Sequence, residues 1–191
     1  TQTLDSAHNQ ILYLGQMVND LATLSRAERG IYMDNEEIDI ESFMTSLYNK
    51  YAKPAKEKRL RFIVDIDLTG KVLVPSMVIE EIMQNLISNA IKYTEVGSVT
   101  VGVRAEPHDR SHARFYVRDT GIGISKSDLD KIYLRFWRSE DYRTRQTSGT
   151  GLGLHVVDRL ASKVGTHIDV KSELNIGSTF SLLLPVKRDK K

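Results

Sequence analysis

The chain has 191 residues, 40% of them hydrophobic and 27% charged, with a formal net charge of only +2, which suffices for one medium domain plus an extra element around a buried core. That balance leaves no nucleic-acid footprint, and the basic tail Lys187, Arg188, Lys190 and Lys191 reads as a solvated end. There is no cysteine, which excludes disulfides and thiolate metal sites and fits a reducing compartment, and no apolar run approaches the ~20 residues that span a bilayer.

The first segment is helical. Leu4, Ala7, Ile11, Leu14, Val18 and Leu21 form a heptad stripe, and Leu12, Met17 and Leu24 widen the apolar face. A helix packed on its own domain would read this way, but the heptad register favours half of a helical hairpin that dimerises. Because the pattern is already running at Thr1, the chain reads as an excised fragment. Arg26 to Gly30 end the helix, with Gly30 as C-cap. A short strand over 38–40 follows, then a helix over 41–58 with Phe43, Leu47 and Tyr51 at spacing four, then an alternating strand from Arg59 to Ile66. Gly70 to Val74 give a turn and a strand, and Pro75 opens a helix that runs to Tyr93 with Ile79, Ile82, Met83, Leu86 and Ile87 on one face. Gly97 to Ala105 alternate, with Val99, Val101 and Val103 on one side. Across the polar turn 107–111, Ala113, Phe115 and Val117 continue a hairpin. Residues 120–150 are rich in Gly, Ser, Thr and charge, with one short helix near 127–133. An apolar helix over 152–164 and closing strands at 168–170 and 179–184 complete the chain. The pattern predicts a helical stub before an α+β two-layer sandwich, with three helices on one face of a mixed sheet.

Three clusters carry chemistry. Asn85, Asn89 and Lys92 fall at i, i+4 and i+7 on one side of a helix. Asparagine is a middling helix former and costly to bury unpaired, so the pair suggests a polar pocket, or else two amides satisfied by nearby backbone. Amide oxygens suit Mg²⁺, and a lysine adds a point charge for phosphate. Asp119-Thr120-Gly121-Ile122-Gly123 directly follows a strand; its glycines permit a close backbone, and its carboxylate can accept from an amino group such as that of adenine. Ser148-Gly149-Thr150-Gly151-Leu152-Gly153-Leu154 leads into an apolar helix, whose exposed N–H groups and dipole favour anions. No Lys-Ser/Thr follows these glycines, and a long polar loop rather than a strand precedes them, so neither a P-loop nor a dinucleotide fold is present.

In this order and on this secondary structure, the clusters resemble the N, G1 and G2 boxes of sensor histidine kinases of two-component systems. Phe136-Trp137-Arg138, extended by Ile132 to Arg135, looks like the F box. Leu21 to Gly30 looks like the end of the second helix of the dimerisation domain, and Gly177-Ser178-Thr179-Phe180 to Pro185 like the closing strand. The resemblance implies a Bergerat ATP-binding fold over 31–191, with 1–30 a truncated helix of a dimerisation and phosphotransfer hairpin. It implies that Asp119 holds the adenine amine, Asn89 coordinates Mg²⁺, Asn85 and Lys92 line the phosphates, and Tyr93 meets the nucleoside. Gly121 and Gly123 would shape the base pocket, and Gly149, Thr150, Gly151, Leu152 and Gly153 would fold over the phosphates. Arg135 or Arg138 would meet the γ-phosphate, Thr179 would support the adenine region, and 133–150 would form a mobile lid. The implied activity is transfer of the γ-phosphoryl group of Mg-ATP to a histidine outside this chain, for relay to a response regulator. The implied assembly is a homodimer with its own dimerisation domain.

The phosphoacceptor motif itself is missing: His8 has Ala7, Asn9 and Gln10 as neighbours and lies on what resembles the second helix. His155 stands where the family carries a small residue, a place for a nucleotide contact or for packing, of which packing is favoured; His108, His112 and His167 have no metal-ligand spacing. Two other functions compete. ATP-hydrolysing machines of the same fold carry a glutamate at the position of Asn85 to activate water, which a neutral amide cannot do. A non-catalytic interaction module would have no reason to keep Asn89, Asp119 and the glycines.

Overall fold

The computed structural model describes residues 2–31, 34–147 and 149–187; Ser148 of the second glycine cluster and Arg188, Lys190 and Lys191 of the basic tail lie outside the described residues, as does the side chain of Leu4. Helix α1 (Gln2–Glu28) ends as Gly30 predicts. Gly30 adopts φ 68, its N–H donates to the Ala27 carbonyl (3.2 Å), and the Ile31 N–H donates to the Arg26 carbonyl (3.0 Å), which satisfies the last turn in a Schellman arrangement. Strand β1 (Glu36–Asp39) runs into α2 (Ile40–Glu57), where Asp39 caps the helix by accepting from the Ser42 N–H at 2.8 Å. Then come β2 (Arg61–Ile66), β3 (Lys71–Val74), α3 (Ser76–Tyr93), β4 (Ser98–Glu106) and β5 (Asp109–Asp119). Two short helices, α4 (Lys126–Leu129) and α5 (Tyr142–Gln146), interrupt the polar segment before α6 (Gly153–Lys163), β6 (Asp169–Glu173) and β7 (Gly177–Lys187). The short helix near 127–133 is thus shorter and earlier than the sequence suggests, and the closing strands are longer. Lys187, read as part of a loose tail, belongs to β7 and bonds Glu37 at 2.5 Å.

The strands form one mixed sheet in the order β1-β3-β7-β5-β4-β2, with β6 also paired to β7. Among the described residues only β2 and β4 pair in parallel. Alternation gives the sheet two distinct faces. Val99, Val101, Val103, Phe115, Val117, Leu182 and Leu184 are buried toward α2, α3 and α6, and Phe43 of α2 meets Phe115 edge-on at 6.4 Å. The outer face is polar. There Tyr116 lies between the Arg104 and Arg118 guanidiniums, 5.5 and 5.7 Å from its ring centroid, and donates its hydroxyl to Asp65. Gly102 has no side chain because a Cβ would sit 2.2 Å from the Tyr116 ring. The predicted two-layer α+β sandwich is therefore the fold.

Helix α1 carries two different faces. Ile11 (67% exposed), Leu14, Val18 (66%) and Leu21 of the heptad stripe face outward. Leu24 (6%) and Ala27 instead join the domain core, with Asp20 and Thr23 buried beside them. The packing thus continues across residue 30, and the last turns of α1 rest on α6. No helix is long and apolar enough to cross a membrane among the described residues. Leu24→Ala is expected to cost about 2–4 kcal/mol in denaturant unfolding, because it leaves a cavity, whereas Leu14→Ala should stay within about 0.5 kcal/mol. Equal effects would mean that α1 does not pack on the domain.

Candidate functional site

A cleft of about 930 Å³ opens between α1, α3, the G1 turn after β5, the 124–150 segment and the start of α6. Its α3 wall is made by Asn85, Asn89, Lys92 and Tyr93, because helical periodicity turns the opposite face, Ile79, Ile82, Met83 and Ile87, into the core. The Asn85 amide group donates to the Glu81 carbonyl (3.0 Å) and to Glu81 Oε1 (3.2 Å). Its Oδ1 is left facing α6, where a Cβ on Gly153 would come within 2.8 Å of it. Burial pushes the Glu81 carboxyl up from its ordinary value, against the Asn85 hydrogen bond. Lys92 Nζ lies 4.6 Å from the Tyr93 ring centroid. The last turn of α3 is closed by Lys58, whose Nζ donates to the Ile91 and Lys92 carbonyls at 2.7 and 2.6 Å.

The opposite end is built on Asp119, the last residue of β5. It pairs with Val99 in register and so faces the helices. Its Oδ1 accepts from the Gly121 N–H (2.9 Å) and the Ser178 N–H (3.3 Å). Burial nevertheless pushes its carboxyl up, outweighing those two backbone donors. The G1 turn is stitched to its neighbours by Ile122 N–H to the Tyr93 carbonyl (3.1 Å) and Asn175 N–H to the Ile122 carbonyl (2.7 Å). Gly123, at φ 66, approaches so closely that a Cβ would sit 1.9 Å from the Glu173 carbonyl oxygen.

The G2 glycines bring the start of α6 against α3. A Cβ on Gly149 would meet Lys92 Nζ at 2.4 Å, and Gly151, at φ 72, packs on the backbone of Phe136 and Trp137. Thr150 is buried; its Oγ1 donates to Asp20 Oδ2 (2.9 Å) and accepts from the Leu152 N–H (3.1 Å). The preceding segment is braced from within. One Arg138 amino group donates to the Thr144 and Thr147 carbonyls, Asp141 caps α5 through the Arg143 N–H and pairs with the Arg143 guanidinium at 2.6 Å, and Ser139 donates to Asp128 at 2.7 Å. Arg135 Nε donates to His155 Nε2 (2.9 Å) while His155 Nδ1 bonds the Tyr133 carbonyl (2.9 Å). His155 is therefore buried in a hydrogen-bonded setting rather than in purely apolar packing.

Asn85, Asn89, Lys92, Tyr93, Asp119, Gly123, Arg138, Gly149, Thr150, Gly151 and Gly153 all line the cleft. Gly121 supports it through the Asp119 bond, and Leu152 is fully buried as the residue before α6. Thr179 needs correcting. It pairs with Arg118 across β7 and β5, which puts its side chain on the outer sheet face, away from Asp119. Its neighbour Ser178 faces the cleft and bonds Asp119 instead, a residue that the motif contains but that only strand register could single out. Arg135 is an exposed residue held by His155 and does not line the cleft, so of the two arginines only Arg138 reaches it. His8 is exposed on α1. No group of three or more His, Asp or Glu side chains suited to a metal occurs among the described residues. On the α3 wall the oxygen donors are the neutral amides of Asn85 and Asn89, which fit a hard cation that arrives already carrying anionic ligands, while the carboxylates of Asp20, Asp119, Asp128, Glu140 and Asp141 line the cleft elsewhere.

Residues 76–188 match the family described as histidine kinase-, DNA gyrase B-, and HSP90-like ATPase. The aerobic respiration control sensor protein ArcB of Escherichia coli is 38% identical over 95% of this chain and 24% of its own length; the chain thus spans about a quarter of that curated relative. The full-length ShkA structure in complex with AMPPNP superposes with a TM-score of 0.81 at 25% identity, over 98% of this chain and 39% of that one. The Acinetobacter baumannii histidine kinase AdeS shares the fold with a TM-score of 0.74 at 24% identity, over 97% of this chain and 84% of that one.

Asp119 gives a test that needs no ligand. Its folded-state pKa is raised, so the ionised group opposes folding above the unfolded-state pKa and that penalty disappears as pH falls through the folded value. At neutral pH Asp119→Asn should therefore leave the melting temperature unchanged or raised. A clear fall would show that the carboxylate charge holds the G1 turn together.

Proposed function

The chain belongs to the histidine kinase-, DNA gyrase B-, and HSP90-like ATPase family, and from that we propose that it binds Mg-ATP in the α3–α6 cleft and transfers the γ-phosphoryl group to a histidine on a dimerisation helix outside these residues, for relay to a response-regulator aspartate. The observation that carries the choice of kinase over hydrolase is Asn85. A neutral amide stands at the phosphate end, and the carboxylate bonded to it, Glu81, does not line the cleft. Asn85 itself offers water no base, and the carboxylate that does line this end, Asp20, already accepts from Thr150 and Gln16, whereas an imidazole acceptor brings its own lone pair.

In this reading Asp119 accepts a hydrogen bond from the adenine amine through Oδ2, the oxygen its backbone donors leave open. Tyr93 flanks the nucleoside. Lys92 and the N-terminus of α6 neutralise phosphate charge and hold the chain in line for transfer, which is most of what phosphoryl transfer asks of a protein. The amide oxygen of Asn89, with Asn85 beside it, would hold a Mg²⁺ ion that arrives with the nucleotide, and that ion would supply neutralisation of phosphate charge. Arg138 approaches from the lid. Catalysis is positioning and electrostatics rather than covalent chemistry. The outward stripe of Ile11, Leu14, Val18 and Leu21 is the seam for a neighbouring helix in a homodimer, with residues 1–30 as the second helix of the hairpin and 31–191 as the catalytic domain. The protein then acts in the cytoplasm, with a response regulator and not nucleic acid as partner. The ShkA complex with a nucleotide analogue supports the cleft as the ATP site.

Asp119→Ala should lower ATP and ADP affinity by ~100-fold in calorimetry, and retention of normal affinity would remove Asp119 from the base pocket. Asn89→Ala should weaken Mg²⁺-dependent ATP binding by ~10-fold more than metal-free binding; equal losses would count against a ligand role. With radiolabelled ATP the chain alone should gain no acid-labile phosphate, and a tethered upstream helix bearing the acceptor histidine should restore transfer, since tethering raises effective concentration. Label on the chain alone that vanishes in His8→Gln would reassign the acceptor.

A further inference from the structure

The phosphate end of the cleft is not completed by the catalytic domain alone. Its central hydroxyl, Thr150 Oγ1, donates across 130 residues of sequence to Asp20 of α1. Both partners are out of water, Asp20 at 1% exposure and Thr150 at 7%. The other Asp20 oxygen accepts from Gln16 Nε2 at 2.7 Å. Among the described residues no lysine or arginine pairs with this carboxylate, and the nearby Glu81 carboxyl carries the same sign. A buried carboxylate satisfied only by neutral donors is expensive, and a packed apolar residue would serve a plain helix interface better. Thr150 in turn sits between Gly149 and Gly151, and it accepts the Leu152 N–H just before α6 begins. The Asp20–Thr150 bond thus ties the loop to α1 through a side chain, next to the glycines that approach Lys92 and Asn85.

We infer that Asp20 is a positioning residue for the phosphate loop: through Thr150 it fixes Gly149–Gly153 so that the start of α6 meets the terminal phosphate of the nucleotide. The inference rests on the cleft being the nucleotide site. It makes the dimerisation helix part of the ATP site, and it makes triphosphate recognition depend on α1 lying where it does. Diphosphate binding, anchored at Asp119 and Tyr93, depends on it much less.

Calorimetry on the whole chain with Mg²⁺ and either ATP or ADP tests this. Asp20→Ala and Thr150→Val should each weaken ATP binding by ~10-fold, the size of one charge-assisted hydrogen bond, and ADP binding by less than ~3-fold. Thr150→Ser, which keeps the hydroxyl, should restore ATP affinity, and the double variant should be no worse than either single one. An unchanged ATP-to-ADP ratio, equal losses for both nucleotides or additive losses would overturn the role of Asp20 while leaving the cleft assignment standing. A wild-type chain that binds neither nucleotide would overturn both. Should Asp20→Ala fail to fold, the contrast between Thr150→Val and Thr150→Ser decides the matter: ATP affinity lost in the first and kept in the second supports the tie, and equal affinities overturn it.

Discussion

One carboxylate oxygen gathers three separate pieces of chain. Asp119 Oδ1 accepts N–H bonds from the turn that follows it and from the start of β7, so the end of one strand, the G1 turn and the beginning of another strand converge on a single point. The convergence leaves no room for side chains: a Cβ on Gly177 would lie 2.1 Å from the Asp119 carbonyl oxygen. It also withdraws the carboxylate from water, which is why its proton affinity rises despite two donors. The floor of the cleft inherits its shape from this point. Tyr93, Ile122 and Asn175 are linked to it in sequence by backbone hydrogen bonds, and Gly123 is pressed against the β6–β7 turn.

The two ends of the cleft are built from different materials. The Asp119 end is tied by backbone N–H groups at the termini of buried strands. The other end depends on side chains reaching back to loops: Arg138 to the Thr144 and Thr147 carbonyls, Arg143 to Asp141 and Asn175, Ser139 to Asp128. Phe136 holds a left-handed backbone, φ 61, where only its neighbours keep it. One end is thus joined through backbone groups of strands and the other through side chains of a polar segment.

Much of this is legible in the sequence. Helical periodicity alone puts Asn85, Asn89 and Lys92 on one wall, and alternation in 99–105 and 113–117 gives the central hairpin with its buried face. What stays hidden depends on partners distant in sequence. Ser178 and Thr179 are adjacent and chemically alike, and only the pairing of Thr179 with Arg118 decides which of them faces inward. Asp20 and Thr23 look like the solvent side of a helix because they are polar, yet they are buried; polarity in a sequence does not reveal whether a group has found a protein donor instead of water. The five-residue α5 is too short to show a period, and its capping by Asp141 is visible only in space. His155, marked by its departure from a small residue, is half of a pair with Arg135.

The place of β7 in the sheet has a consequence for how the chain is made. It is the last of the strands along the sequence yet lies inside the sheet, with β5 on one edge and β3 and β6 on the other. Until it is synthesised, β3 and β5 have no common neighbour, both hold open hydrogen-bonding edges, and Asp119 lacks the Ser178 N–H. A nascent chain can form the β4–β5 hairpin and dock α2 and α3 on it, since those contacts are local or already available. The sheet then closes in one late, non-local step, and the nucleotide cleft matures with it. Without the residues from Gly177 onward, β3 and β5 would keep unpaired edges, and the Asp119 carboxylate would lack one of its two backbone donors.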